Sequence, residues 1–403
     1  MNDFIYSYPT KVYFGDKAAA KALPVELEKA GKTVMLAYGG GSVKKSGVYD
    51  EICGYLKEAG KEIVDFPGIM PNPTYKKVQE GAALAKEKGV DFILAVGGGS
   101  VIDCCKIIAA QAVTEQDIWE MEFKNHVYPT MFIPMGAIVT ASGTGAGMNN
   151  GAVITNEDVN VTPSGHPSMC ENTHGNKVKA GVFGAYADFA ILDVAYTMSL
   201  PEKQVISGAF DTLSHSMETY LGSPREITLS DEIAEAVMRN VIRNIRLLLK
   251  DMNDKEARTE LMWASAMAEN GILKIGKVTD FQAHQIEHQL GAYTDCNHGQ
   301  GLAVIHPVLY RHIYKDSIGQ FARMAEKVWD IPAEGKSKEE LAKAGIDALA
   351  DFVKEIGLPS TFSQMGITDR DILKKVADTC NLTAGCCKKL SREEVLEILE
   401  ECL

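Results

Sequence analysis

Acidic and imidazole side chains recur at helical spacing in the second half of the chain. Asp211 and His215 are four residues apart, so on a helix they project from one face. His284 and His288 have the same spacing, and His298 follows ten residues later. Divalent metals bind several oxygen or nitrogen ligands at about 2.0–2.2 Å. The spacing therefore indicates a metal site.

The segment 284–288 supports a second interpretation. It reads His-Gln-Ile-Glu-His, the H-x-x-E-H pattern of inverted zincin peptidases, in which both histidines bind zinc and the glutamate activates water. This alternative explains neither Asp211 nor the glycine-rich turns of the first half. The other histidines lack such pairing and are predicted to be ordinary: His126, His166, His174, His306 and His312.

Two matched glycine-rich turns follow predicted strands in the first half. Glycine lets backbone N–H groups approach an anion closely, and a following helix N-terminus adds partial positive charge. Two such turns in one sheet favour a dinucleotide site. A third segment, 140–147, is either a plain loop or a lid over the nicotinamide ribose and pyrophosphate. The residues of the two turns are Gly39, Gly40, Gly41 and Ser42, and Gly97, Gly98, Gly99 and Ser100.

The first turn bears on whether a bound dinucleotide would be NAD(H) or NADP(H). NAD sites commonly place a carboxylate at the adenosine ribose, where it repels a 2′-phosphate. Here the strand ends in Tyr38-Gly39-Gly40 without an acid, and Ser42, Lys44 and Lys45 follow. Hydroxyl, amide and ammonium groups suit a phosphate. We therefore expect NADP(H) to be preferred, with NAD(H) as the alternative.

A Rossmann-like, doubly wound α/β domain is predicted to carry these turns. Short apolar runs alternate with amphipathic segments such as 49–59 and 75–88, which predicts parallel strands joined by helices. The predicted strands are Val12–Phe14, Thr33–Tyr38, Glu62–Phe66, Asp91–Val96, Met131–Val139, Ala152–Thr155 and Phe189–Asp193.

The alternation of strand-like and helix-like segments ends near Pro201. Long segments of helical period follow one another with no clear strand, which predicts an all-helical domain. We place the boundary near residue 196, with a dinucleotide-binding domain over 1–195 and a metal-binding, catalytic domain over 196–403. The predicted helices span 230–250, 258–273, 317–328, 338–356, 369–380 and 391–402.

Composition excludes several classes of partner. The 403 residues carry 54 acidic and 41 basic side chains, a formal net charge of −13, which disfavours binding to nucleic acid or anionic lipid. No apolar run reaches the ~18 residues of a membrane span, and the start lacks the pattern of a secretory signal. The nine cysteines are odd in number and predict no disulfide framework. A cytoplasmic protein is expected.

Taken together, these residues resemble the iron-containing (group III) alcohol dehydrogenases, which share their fold with dehydroquinate synthase and glycerol dehydrogenase. Four segments carry the resemblance: 97–103, 140–145, 211–220 and 284–307. Within the family, the segment 38–47 is most similar to the butanol dehydrogenase and broad aldehyde reductase branch, which often uses NADPH. One departure is Ala146-Gly147, where members usually have Ser-Glu.

The resemblance implies a role for each matching residue. One divalent metal, iron by family habit with zinc as the alternative, would be held by Asp211, His215, His284 and His298. His288 would lie beside the nicotinamide as a candidate for proton transfer. The resemblance overrules the bare spacing, which pairs His284 with His288. The implied cofactor-binding residues outside the first turn are Gly97, Gly98, Gly99, Ser100, Asp103, Thr140, Thr144 and Lys177; Lys45 belongs with the first turn.

The implied activity is hydride transfer between a nicotinamide and small primary alcohols or aldehydes, with the metal as Lewis acid. A homodimer is expected. Three rivals stay open at this point. They are a same-fold lyase or polyol dehydrogenase of the dehydroquinate synthase or glycerol dehydrogenase type, the H-x-x-E-H peptidase, and a non-enzymatic metal or nucleotide sensor.

Overall fold

The computed structural model describes residues 1–157, 159 and 177–403. Cys170, His166 and His174 lie outside the described residues. Two compact units divide the chain. One includes residues 7–157 and 177–201, and the other includes residues 1–6 and 202–403. The division thus falls between residues 201 and 202, beside the boundary predicted near residue 196, and the first six residues belong with the helical unit.

A parallel sheet of six strands forms the centre of the first unit, in the order β1-β8-β5-β4-β2-β3. The inner strand β4 is buried along its whole length, as expected for a parallel sheet with helices on its faces. The strands of the unit are β1 Lys11–Phe14, β2 Thr33–Tyr38, β3 Glu62–Phe66, β4 Phe92–Gly97, β5 Met135–Val139, β6 Gly151–Asn156, β7 Val178–Phe183 and β8 Phe189–Leu192.

Helices connect these strands and cover the sheet. For the helix Tyr75–Lys88, Thr74 caps the N-terminus by accepting a hydrogen bond from the Lys77 N–H at 3.2 Å, and Gly89 ends the helix in the left-handed conformation. Both are common helix boundaries. The helices of this unit are α1 Ala18–Lys29, α2 Ser42–Lys45, α3 Val48–Glu58, α4 Tyr75–Lys88, α5 Gly99–Gln111 and α6 Ile118–Phe123.

The predicted strand at 152–155 is not part of the parallel sheet, contrary to the sequence prediction. It belongs to β6, which pairs antiparallel with β7 in a separate two-stranded sheet. No strand was predicted at β7. A short apolar run indicates a strand but not its partner, because pairing is decided by the rest of the fold.

The second unit is helical, as predicted. Its first helix, α7, is buried on all sides from Ala209 to Tyr220 and packs against α8, α9 and α11. The helices are α7 Glu202–Tyr220, α8 Leu229–Leu248, α9 Lys255–Glu269, α10 Gln282–Thr294, α11 His298–Ile313, α12 Ile318–Lys327, α13 Lys338–Glu355, α14 Arg370–Thr379 and α15 Arg392–Glu401.

Within the part of the chain that the structure describes, no helix combines the length and apolar character needed to cross a bilayer.

Candidate metal centre and nucleotide turns

Three helices of the second unit present the predicted metal ligands. α7 carries Asp211 and His215, α10 carries His284, and His298 is the first residue of α11. The Asn297 side chain begins α11 by accepting a hydrogen bond from the Gln300 N–H at 3.1 Å. The Asn297 cap thus fixes His298 as the first residue of α11.

Close helix packing brings α11 against α7. A Cβ atom at position 299 would lie 2.1 Å from the Ser207 carbonyl oxygen, far inside van der Waals contact. Only glycine therefore permits this approach. Gly299 directly follows His298, so the glycine sets the distance between this imidazole and the carboxylate of Asp211 on α7.

Three imidazole nitrogens surround one carboxylate oxygen. Asp211 Oδ1 lies 3.6 Å from His215 Nδ1, 3.5 Å from His284 Nε2 and 3.5 Å from His298 Nε2. Ligand atoms 2.0–2.2 Å from a tetrahedral ion are separated from one another by about 3.4 Å. The spacing found around Asp211 therefore fits a bound divalent metal.

The hydrogen bonding of these atoms also fits a metal. Asp211 Oδ1, His215 Nδ1 and His284 Nε2 are buried and make no hydrogen bond within the part of the chain that the structure describes. Buried polar atoms are normally hydrogen-bonded, since burial without a partner costs free energy. A cation would satisfy all three atoms.

Two glutamates orient the imidazoles, and sequence reasoning missed this role for both. Glu218 is hydrogen-bonded to His284 Nδ1, and Glu287 to His298 Nδ1. Each contact leaves Nε2 of the histidine directed towards Asp211, an arrangement common behind metal-ligating histidines. The position of Glu218, seven residues after Asp211 on the same helix face, was the available signal.

Burial and charge shift the proton equilibria of the cluster. Burial would raise the pKa of Asp211, but the adjacent imidazoles outweigh it and hold the pKa below its usual range. Burial lowers the pKa of His215 to about 4. Burial also opposes a charge on His284, yet Glu218 and Asp211 raise its pKa to about 10.

The structure argues against the peptidase interpretation of His284 and His288. Glu287 is fully buried and hydrogen-bonded to His298, so it is not placed to activate water. His288 is buried, and its ring centroid lies 5.4 Å from that of His298 and 5.9 Å from that of His284. Asp211, His284 and His298 form one potential ligand group, of which His215 is not a member, and a second group, Glu287, His288 and His298, shares His298 with it.

The second glycine turn lies in the first unit, at the end of β4. Gly98 is the residue before α5, which begins at Gly99, so the unpaired N–H groups of the first helical turn face outward from the strand end. A Cβ atom at position 99 would lie 2.4 Å from Thr144 Oγ1, and the Thr140 N–H donates to the Gly97 carbonyl at 2.9 Å. The structure therefore brings both predicted threonines to this turn.

The first glycine turn lies beside the second, because β2 and β4 are neighbours with Tyr38 opposite Val96. Ser42 and Lys45 belong to the short helix α2. The structure adds an acid that the sequence did not reveal: Asp65 on β3 accepts a hydrogen bond from the Tyr38 hydroxyl at 2.9 Å.

Two other predicted cofactor residues have structural partners. Asp103 is buried, its Oδ2 accepts from the Val153 N–H at 3.0 Å, and its Oδ1 lies 3.6 Å from Lys106 Nζ. Lys177 precedes β7 and forms an ion pair with Glu157 at 3.0 Å. At the departure from the family pattern, a Cβ atom on Gly147 would lie 3.3 Å from Val139 Cγ2, so the turn packs closely onto β5.

Comparison with known proteins identifies the class. The model of the iron-containing alcohol dehydrogenases matches residues 9–193, and that of the family's C-terminal domain matches residues 205–403. The chain is 36% identical over 405 residues to the probable NADH-dependent butanol dehydrogenase 1 of Bacillus subtilis, covering 100% of both chains. It is 34% identical over 383 residues to the NADPH-dependent aldehyde reductase YqhD of Escherichia coli, covering 94% of each.

A solved structure shows the same fold. The NADH-dependent butanol dehydrogenase A of Thermotoga maritima matches with a TM-score of 0.88 and 35% identity, covering 100% of this chain and 99% of the other. The family match implies an oxidoreductase that uses a nicotinamide cofactor and a divalent metal. The chain belongs to the iron-containing alcohol dehydrogenase family.

Proposed function

We propose that this protein is a metal-dependent, NADP(H)-preferring alcohol dehydrogenase and aldehyde reductase acting on small primary alcohols and aldehydes of the butanol and butyraldehyde type. The observation that carries the proposal is the arrangement of three imidazole nitrogens 3.5–3.6 Å from Asp211 Oδ1. The butanol dehydrogenase and aldehyde reductase names of its relatives support the substrate class.

The proposed metal ligands are Asp211, His215, His284 and His298. Three neutral imidazoles and one carboxylate accept several divalent ions, and we propose Fe²⁺, with Zn²⁺ as the alternative. When bound, the ion supplies Lewis-acid chemistry, withdrawing electron density from an alcohol or carbonyl oxygen. Glu218 and Glu287 keep their histidines in the orientation that directs Nε2 to the site.

His288 is the proposed proton carrier. It is 7% exposed and lies in ring contact with two proposed ligands. An imidazole can both accept and donate a proton through its ring nitrogens. In aldehyde reduction it would supply the proton that becomes the alcohol hydroxyl, and in alcohol oxidation it would accept that proton.

The dinucleotide is proposed to bind to the first unit. Gly97, Gly98, Gly99, Ser100, Thr140 and Thr144 form one group around the end of β4 and would face the pyrophosphate and nicotinamide ribose. Gly39, Gly40, Gly41, Ser42 and Lys45 would surround the adenosine ribose, with Asp103 and Lys177 as further members of the site. Because no acid follows Tyr38 directly, a 2′-phosphate is tolerated.

Assembly and location are also proposals. We propose a homodimer, which size-exclusion chromatography with light scattering tests by its mass. A cytoplasmic location is supported by the eight cysteines in the described residues, which are all thiols, as expected in a reducing compartment.

Steady-state kinetics test the proposed function. Purified protein loaded separately with Fe²⁺ and Zn²⁺ is assayed with butyraldehyde and each reduced nicotinamide, and with butanol and each oxidised one. We expect turnover in both directions and a lower KM for NADPH than for NADH. Absence of turnover with every metal and nucleotide would contradict the proposal.

A further inference from the structure

Asp65 lies within reach of the first glycine turn although it is distant from it in sequence. It is on β3, and its carboxylate accepts hydrogen bonds from the Tyr38 hydroxyl at 2.9 Å and from the Tyr49 hydroxyl at 3.0 Å. Tyr38 is the last residue of β2. Two donors therefore fix a negative charge beside the end of this strand.

The same carboxylate and rings hold Lys44. Its Nζ atom lies 4.0 Å from Asp65 Oδ2, 4.4 Å from the Tyr49 ring centroid and 5.0 Å from the Tyr38 ring centroid. A cation over aromatic faces and next to a carboxylate is stabilised where it is. Lys44 is thus compensated within the protein, although its side chain is 49% exposed.

Lys45 differs from Lys44. Its Cε atom lies 4.0 Å from the position of a Cβ atom on Gly41, so its side chain follows the glycine turn. Within the described residues the Lys45 side chain makes no hydrogen bond or ion pair. Of the two lysines, only Lys45 has its charge uncompensated at the turn.

We propose that Asp65 is a specificity-determining residue, which limits the preference for NADP(H) by holding Lys44 and by placing a negative charge near the adenosine ribose. The inference rests on the proposed binding of the adenosine ribose to the first glycine turn. A carboxylate near that ribose repels a 2′-phosphate, and an ammonium group attracts it. Asp65 affects both interactions in the same direction.

Cofactor kinetics of matched variants test this role. Asp65→Asn keeps the side-chain shape and an acceptor for one tyrosine while it removes the charge. We expect the ratio of kcat/KM for NADPH to that for NADH to rise, mainly through a lower KM for NADPH. The rise should be only about three- to tenfold, because exposed charge pairs are individually weak. The double variant Asp65→Asn/Lys44→Ala should lose the part of this gain that comes from Lys44 and keep the part that comes from removing the carboxylate.

Glu62→Gln is the matched control, because Glu62 is an exposed acid on the same strand that pairs with Lys32 at 2.6 Å. Its cofactor ratio should equal that of the wild type. Thermal unfolding of each variant verifies folding. If Asp65→Asn folds, turns over both nicotinamides and leaves the ratio unchanged or shifted towards NADH, the inference is overturned. If the wild-type protein itself turned over neither nicotinamide, the proposed function would be rejected instead.

Discussion

The imidazole of His284 is hydrogen-bonded through Nδ1 to the carboxylate of Glu218, a residue of the neighbouring helix α7. Both side chains are buried, so the contact is shielded from water and strongly orienting. It directs His284 Nε2 towards Asp211 Oδ1 at 3.5 Å. The proposed metal site therefore depends on a residue that is not one of its proposed ligands.

Removing the charge of Glu218 is expected to weaken metal binding. Glu218→Gln keeps the volume but stabilises the required tautomer of His284 less, and loss of such an orienting partner costs about 10- to 100-fold in metal affinity. Competition with a chelator, read as metal per protein, measures the change. Glu235→Gln, another buried carboxylate, which is bonded to Tyr220 and Arg323, should leave metal affinity unaltered. Equal affinities in wild type and Glu218→Gln would contradict the orienting role.

Asp211 and His288 are expected to respond differently to substitution. Asp211→Ala removes the carboxylate that three imidazoles surround, and we expect purified protein to hold no stoichiometric metal. His288→Gln should keep its metal while kcat falls about 10²-fold or more, the usual contribution of a proton-transfer group. Elemental analysis and steady-state rates distinguish the two. Full metal content in Asp211→Ala would exclude it as a ligand.

Glu122 is expected to make stability depend on pH. Burial raises its pKa to about 7, although both of its oxygens accept from the Phe183 N–H. A carboxyl whose folded pKa is raised above its unfolded value stabilises the protein below the unfolded pKa, near 4.5, and this contribution is lost as pH rises through 7.

The variant Glu122→Gln stays neutral, so its advantage over the wild type in free energy of unfolding should grow between pH 5 and 8, by at most about 3 kcal/mol. Urea unfolding at several pH values measures the difference. Glu120→Gln, an exposed position of the same helix, serves as the control. A difference between Glu122→Gln and wild type that does not change with pH would refute the assignment.

Lys106 is expected to be important for stability. It is fully buried, donates to Asn149 Oδ1 at 2.9 Å and to the Gly151 carbonyl at 2.6 Å, and lies 3.6 Å from Asp103. Lys106→Met leaves the Asp103 charge buried without its cation, which costs about 3–5 kcal/mol.

Chemical denaturation of Lys106→Met, Asp103→Asn and the double variant measures this coupling as a double-mutant cycle. The double variant should recover part of the loss, because it no longer buries an uncompensated charge. Additive losses in the cycle would show that the two residues act independently.

The sequence predicts local periodicity well and long-range pairing poorly. The spacing of Asp211 and His215 predicts one helix face, and α7 confirms it, because helical periodicity is a local property. The orienting roles of Glu218 and Glu287 were missed, since spacing can place an acid such as Glu218 on the ligand-bearing face of its helix but does not show which histidine of another helix it contacts. β7, the antiparallel partner of β6, was missed for a related reason: strand pairing depends on residues far apart in the chain.

Asp65 illustrates the same limit at the first glycine turn. β2 ends at Tyr38, and the sequence has no acidic residue directly after it. The acid comes from the adjacent strand, where Leu36 and Asp65 are opposite each other. Only the register of β2 and β3 brings the carboxylate to the Tyr38 hydroxyl.

The most direct test of the proposed function is the rate of NADPH oxidation with butyraldehyde by chelator-stripped protein, measured before and after anaerobic addition of one equivalent of Fe²⁺. We expect stripped protein to be nearly inactive and the rate to rise about 100-fold or more, since Lewis-acid stabilisation contributes several kcal/mol. Metal-free protein that reduces butyraldehyde as fast as the reloaded enzyme would contradict the proposed metal dependence.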